Sequence, residues 1–226
     1  MFPPPCAFTN GCLHPHQFLD FISKIDVVTQ KTELGTIAYA WFRGAADNAS
    51  VPGHWVRGFE VYETVEANQV AHRASDEYQA FRKAVADESL LESPSDLRFW
   101  RPTGIGYLTR DDKLISFRGD EGQQHVVIDQ FTPAQGAKGD ALTVLRRLAS
   151  AAAENEHASS FWVLDRGEDG DDGLYVFACY ESKDAWSTFE AGDIIQRLWV
   201  EAKRLSRSED WMRTTWRASG IGFIGR

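Results

Sequence analysis

The chain carries two copies of one pattern. Trp100-Arg101-Pro102-Thr103-Gly104-Ile105-Gly106-Tyr107 returns as Trp216-Arg217-Ala218-Ser219-Gly220-Ile221-Gly222-Phe223. Upstream, Tyr62-Glu63-Thr64 returns as Tyr180-Glu181-Ser182, Ala67 as Ala185 and Phe81 as Trp199, at a spacing two residues longer. The difference is a small change in the loop before each last strand. A repeat of this length is a duplicated domain, not the short unit of a solenoid. With 226 residues, each copy has about the commonest domain size.

Each copy reads as strand, helix, strand, strand, helix, strand. In the first, Cys6-Ala7-Phe8 suggests a short edge strand and Pro15 can open a helix. Phe18, Phe21, Ile22, Ile25 and Val28 recur at three-and-four spacing, which predicts an amphipathic helix over 17–28. Residues 36–43 and 54–62 read as antiparallel strands. A helical turn follows over 66–70, then a kink, then a second helix from Ser75, an N-cap ahead of Asp76 and Glu77. The stretch 97–108 is a strand interrupted by Pro102 and Gly104. The second copy gives strands at 125–131, 159–164, 174–180 and 214–224, with helices at 137–153, 183–190 and 194–205. Leu142, Leu145 and Leu148 form the buried stripe of the first of these helices.

This order is ferredoxin-like and leaves one sheet face bare. Two copies bury those faces against each other. The expected fold class is therefore α+β: two ferredoxin-like repeats whose antiparallel sheets form a fused, pseudo-dimeric α+β barrel. The expected division is a first domain at 1–108, a polar linker at 109–124 and a second domain at 125–226. On the strand 36–43, Tyr39, Trp41 and Arg43 share one face with Ile37. Ala38, Ala40 and Phe42 share the other, and the small alanines suggest the face lying under a helix.

Composition narrows the function. A net charge of −9 argues against nucleic acid and anionic membranes as partners. No run reaches the roughly 18 apolar residues of a membrane span, and the start MFPPPC lacks the features of a signal peptide. Cys6, Cys12 and Cys179 are too few and too odd in number for a disulfide framework. A cytosolic location is the expectation. Trp 8, Phe 14 and Tyr 6 furnish cores, and also the aromatic walls of a small-molecule pocket. No metal site is expected: His14 and His16 lie in an irregular tail, and Cys6 and Cys12 lack a CxxC partner. Gly104-x-Gly106 and Gly220-x-Gly222 sit inside strands and are not a dinucleotide loop.

The pattern Glu60-x-Tyr62, Ala67, His72, Ser75, Tyr78, Phe81 resembles the signature of the antibiotic-biosynthesis-monooxygenase (ABM) family. Those proteins are small dimeric α+β barrels, many of which oxidise aromatic polyketides without a bound cofactor. The resemblance covers nearly the whole chain, twice. It implies a pocket between sheet and helices in each half, an aromatic or enolisable polyketide-like substrate of secondary metabolism, molecular oxygen as co-substrate and no cofactor. His72 is the expected base, since imidazole transfers protons near neutral pH, and Glu60 is the second catalytic candidate. Tyr39, Trp41 and Arg43 are expected to stack on a planar substrate and bind its oxyanion, with Tyr62 and Trp162 as further contacts. The family's pocket asparagine has no counterpart on a strand here; Asn48 and Asn68 lie elsewhere. Arg57 is expected at the surface, paired with Glu60. His72 and Glu60 align with Glu190 and Ala178, so the two pockets need not share a chemistry. Trp100-Arg101 and Trp216-Arg217 recur, which implies a common structural job between the domains. Two other functions fit the same pocket: a cyclase, isomerase or aldolase-type enzyme using the same base, and a non-catalytic small-molecule binding protein. Pairing of two chains as a homodimer is left open.

Overall fold

The structure is a computed structural model that describes residues 6–48, 50–119, 122–166, 172–207 and 210–225. The first half contains β1 (Cys6–Gly11), α1 (Pro15–Thr32), β2 (Thr36–Gly44), β3 (Trp55–Tyr62), a π-helical turn at Ala67–His72, α2 (Asp76–Asp87), β4 (Asp96–Phe99) and β5 (Arg101–Tyr107). After a short β6 (Ile115–Ser116), the second half contains β7 (His125–Phe131), α3 (Lys138–Glu154), β8 (Ala158–Asp165), β9 (Leu174–Tyr180), α4 (Lys183–Glu190), α5 (Asp193–Leu205) and β10 (Met212–Ile224).

Local chemistry accounts for the main boundaries. Pro15 occupies the first turn of α1, where its missing N–H is no loss. Ser75 caps α2 by accepting the Tyr78 N–H at 3.3 Å, with Asp76 and Glu77 behind it. Ser182 does the same for α4, accepting the Ala185 N–H at 3.1 Å. Leu145 and Leu148 of α3 are buried, while Leu142 is only partly so.

The strands form one antiparallel sheet in the order β4-β1-β3-β2-β10-β7-β9-β8-β5. Its two ends are pieces of a single stretch of chain. Phe99 pairs with Cys6 on β1, and Arg101 pairs with Asp165 on β8. The chain through Trp100 therefore closes the sheet into a barrel. β10 makes the matching crossing at the opposite seam. Its first part pairs with β7 of its own half and its last part with β2 of the other. Each half thus lends the end of its last strand to its neighbour.

The repeated Gly-x-Gly makes both crossings possible. The register slips between Pro102 and Ile105 on β5, and between Ala218 and Ile221 on β10. Gly106 (φ +82°) and Gly222 (φ +104°) lie in the left-handed region. A Cβ on Gly106 would sit 1.9 Å from the Phe161 carbonyl oxygen, and one on Gly222 would sit 2.0 Å from that of Tyr39. Only glycine lets the crossing strands bulge and approach so closely.

Three apolar layers result. Helices α1 and α2 cover the outer face of the first half, α3 and α5 cover that of the second, and the barrel interior lies between the halves. The interior holds Trp100 and Trp216, the two tryptophans of the repeat, and a stacked Phe59–Phe177 pair with centroids 4.2 Å apart. The arrangement is the expected α+β barrel of two ferredoxin-like repeats.

Three expectations are corrected. Ala38, Ala40 and Phe42 do not lie under a helix but face the barrel interior, where small side chains leave room for the stacked phenylalanines. A bulge between Thr36 and Ala38 turns Ile37 to the same side, away from Tyr39 and Trp41. Arg57 is not at the surface: it shares the strand face of Phe59 and Val61, is 5% exposed and lies over the Tyr175 ring at 5.5 Å. Within 109–124, β6 pairs with β10, and Phe117 is fully buried edge-on to Phe42. Among the described residues, no helix is long and apolar enough to cross a membrane.

Candidate functional site

A cleft of about 640 Å³ opens between the β2–β3 sheet face and helices α1 and α2. Strand alternation turns Tyr39 and Trp41 toward it, opposite to the alanines. Gly58 is the cross-strand partner of Trp41, and a Cβ there would lie 2.9 Å from the indole, so glycine lets Trp41 lie across β3. Phe18 packs edge-on against both Trp41 and Phe81, at 5.4 and 5.2 Å. Ile22, Ile25, Phe81, Val85, Leu91, Pro94 and Leu97 add to the apolar lining.

His72 forms part of the wall. The π turn Ala67–His72 inserts a residue into the helical count, a device common at functional sites. Here it buries Asn68 and His72 while Val70 stays exposed. The imidazole is 2% exposed. Its Nδ1 lies 2.8 Å from Oε2 of Glu33, with Thr29 Oγ1 at 3.5 Å. The rings of Tyr39, Tyr62 and Tyr78 surround it at 5.4, 5.6 and 5.2 Å.

Glu60 lies on β3 beside this group, 4% exposed. Burial raises its carboxyl above the ordinary range, against the opposing pull of His72, the Tyr62 hydrogen bond and Arg73. The Tyr62 hydroxyl donates to Glu60 Oε2 at 2.7 Å. Burial, followed by the charge of Glu60, pushes the Tyr39 and Tyr62 phenols well above their ordinary values. These phenols stay protonated and act as hydrogen-bonding walls rather than bases.

Of the sequence candidates, the structure gathers His72, Glu60, Tyr39 and Trp41 around the cleft, with Tyr62 behind Glu60. It does not bring in the other two. Arg43 follows Trp41 on the same strand face but lies outside the cleft lining, and Trp162 packs against Phe59 in the barrel interior. Glu33, Thr29, Arg73 and Arg82 are additions that the sequence does not single out. Glu33 did leave a signal, since an acidic residue just past the end of a helix opposes the helix dipole. Among the described residues, no group of three or more His, Cys, Asp and Glu side chains is placed to hold a metal ion.

The equivalent region of the second half carries different groups. Phe161 and Ala178 pair across the strands where Tyr39 and Glu60 pair in the first half. Glu190, the counterpart of His72, is bound to Arg213 at 2.8 Å, and Arg213 also holds Asp129. Arg213 lies over Trp199 at 4.7 Å, and Trp211 stacks on Phe131 at 4.4 Å.

No family model matches the chain, and no curated protein matches it in sequence. Solved structures do share its fold over almost the whole length. A candidate monooxygenase from Lactobacillus acidophilus NCFM is 10% identical with a TM-score of 0.72, the match covering 98% of both chains. A candidate monooxygenase from Fusobacterium nucleatum is 11% identical with a TM-score of 0.77, over 99% of this chain and 95% of that one. An anthrone oxidase-like protein is 14% identical with a TM-score of 0.64, over 99% of this chain and 93% of that one. At such identities the likeness is one of fold.

Proposed function

We propose that this chain is a cofactor-independent monooxygenase acting on an aromatic or enolisable polyketide-like small molecule, with the first-half cleft as its active site. The observation that carries the reading is the buried Glu33–His72 hydrogen bond in the wall of an aromatic cleft. The whole-chain fold likeness to candidate monooxygenases and to an anthrone oxidase-like protein supports it.

In this reading Glu33 accepts the Nδ1–H of His72, which leaves the lone pair on Nε2. That nitrogen takes a proton from an activated CH2 or phenol of the substrate. The resulting carbanion is electron-rich enough to reduce O2, and a C–O bond forms to give a peroxide. The imidazolium returns its proton to the peroxide. Loss of the second C–H proton then expels water as the O–O bond breaks, leaving a carbonyl. One CH2 and one O2 become one C=O and one H2O, so the substrate supplies every electron. Glu60, inclined by burial to its acid form, is the second proton carrier. Tyr39 and Trp41 form the sheet-side wall against which the planar substrate lies, and Tyr62 orients Glu60. Arg43 and Trp162 enter as supports of the barrel. The second half serves as scaffold, and 1–108 and 125–226 count as two copies of one unit joined through 109–124.

Anthrone is the test substrate. The wild-type protein should consume one O2 per anthrone and form anthraquinone. His72→Ala should lower the rate by about 10² to 10⁴-fold, the usual size of a general base, with its circular dichroism unchanged. Equal turnover in a folded His72→Ala variant sinks the role of His72. Product formed under strict anaerobiosis moves the chain to the cyclase or isomerase class.

A further inference from the structure

The cleft has one feature that proton abstraction does not use. Helix α2 presents Tyr78, Gln79, Phe81, Arg82 and Val85 to it, and Arg73 joins them from the end of the π turn. Two guanidiniums therefore line a cleft whose other ionisable acid and base are Glu60 and His72, in a protein of net charge −9. The neighbouring ion pairs engage other groups: Lys83 with Asp87, Arg98 with Asp96, and Arg118 with Asp26. Among the described residues, neither Arg73 nor Arg82 has a carboxylate at salt-bridge distance. Arg73 is half-buried and its charge reaches Glu60, while Arg82 is exposed. A guanidinium held at a cleft without a carboxylate partner is matched in geometry to an incoming oxyanion.

We propose that the substrate of this cleft carries a carboxylate in addition to its aromatic body, and that Arg82 and Arg73 bind it while the ring lies between Trp41 and Phe81. The inference rests on the reading of the cleft as a substrate site. It adds a specificity that base catalysis alone would not require. Two guanidiniums suit the two oxygens of a carboxylate, and the charge also draws an anion toward a protein that elsewhere repels it.

The probes are 2-naphthol and 6-hydroxy-2-naphthoate, bound to the full-length protein at low salt and followed by tryptophan quenching, with no oxygen chemistry required. The carboxylate should bind about tenfold more tightly, the size of one charge-assisted hydrogen bond. That preference should shrink in high salt. In Arg82→Gln the ratio of the two affinities should fall to about one, and Arg82→Lys should restore part of it. Equal affinities in the wild type, a ratio unchanged in Arg82→Gln, or binding of neither probe overturns the proposal. The monooxygenase reading fails separately, on His72-independent oxidation of anthrone, so the two are distinguishable.

Discussion

Glu33 Oε2 lies 2.8 Å from His72 Nδ1, with the two side chains 5% and 2% exposed. They come from the end of α1 and from the π turn, 39 residues apart. A buried carboxylate in that position fixes the ring's orientation and tautomer. Glu33→Gln keeps the shape but replaces the charged, acceptor-only carboxylate with a neutral amide that can also donate. It should lower kcat on anthrone by about a hundredfold while leaving KM within about twofold. A change confined to KM would reassign Glu33 to substrate binding.

Glu60 should make stability depend on pH. Its folded-state carboxyl is raised by burial, so its contribution is full below the unfolded value and is lost as pH rises through the folded one. Glu60→Gln cannot ionise. Its melting temperature relative to wild type should therefore increase from pH 4.5 toward pH 8. Melts that stay parallel across that range would mean that Glu60 is not desolvated.

One chain should bind one ligand. The first half has a cleft with His72, whereas in the second half Glu190 replaces the imidazole and is bound to Arg213, which lies over Trp199. Calorimetric titration with 6-hydroxy-2-naphthoate should give a stoichiometry near one. A value near two would place a second site in the other half.

The crossing glycines should differ sharply in tolerance. A Cβ on Gly106 meets the Phe161 carbonyl, while one on Gly104, also at positive φ (+75°), meets nothing within 4 Å. Gly104→Ala should cost about 1–2 kcal/mol, the left-handed backbone penalty. Gly106→Ala adds a backbone collision and should cost more than about 3 kcal/mol. Urea unfolding of the two variants measures the difference.

Cys12 should be chemically inert. It is 1% exposed, and burial, aided by Glu92, pushes its thiol up to about 12. At pH 8 iodoacetamide should modify it at least about a thousandfold more slowly than a free thiol. Mass spectrometry of the peptide containing Cys12 follows it separately from the other cysteines.

The sequence exposed what steric necessity repeats. Trp100, Trp216 and the paired Gly-x-Gly motifs recur because the crossings admit little else, and the duplicated barrel followed from them. His72 was legible as an unrepeated histidine at a helix kink. The partners of the crossing strands were not, since a local pattern marks a bulge without saying which neighbour lies beyond it. The inner face of β2 is not legible, because both of its faces are apolar and alternation separates faces without orienting them. Arg57 is legible in principle: it shares parity with Phe59 and Val61, and that signal outweighs its charge. Glu33 joins His72 only through tertiary packing, and no periodicity announces a single carboxylate at a helix end.

The single chain through 109–124 has a genetic consequence. When two identical subunits build a barrel, every substitution appears twice, so a filled pocket on one side means a filled pocket on the other. Here codon 72 specifies histidine and its duplicate, codon 190, specifies glutamate. In a single chain the copies are not bound to change together, and each is free to drift toward what the other does not have to be.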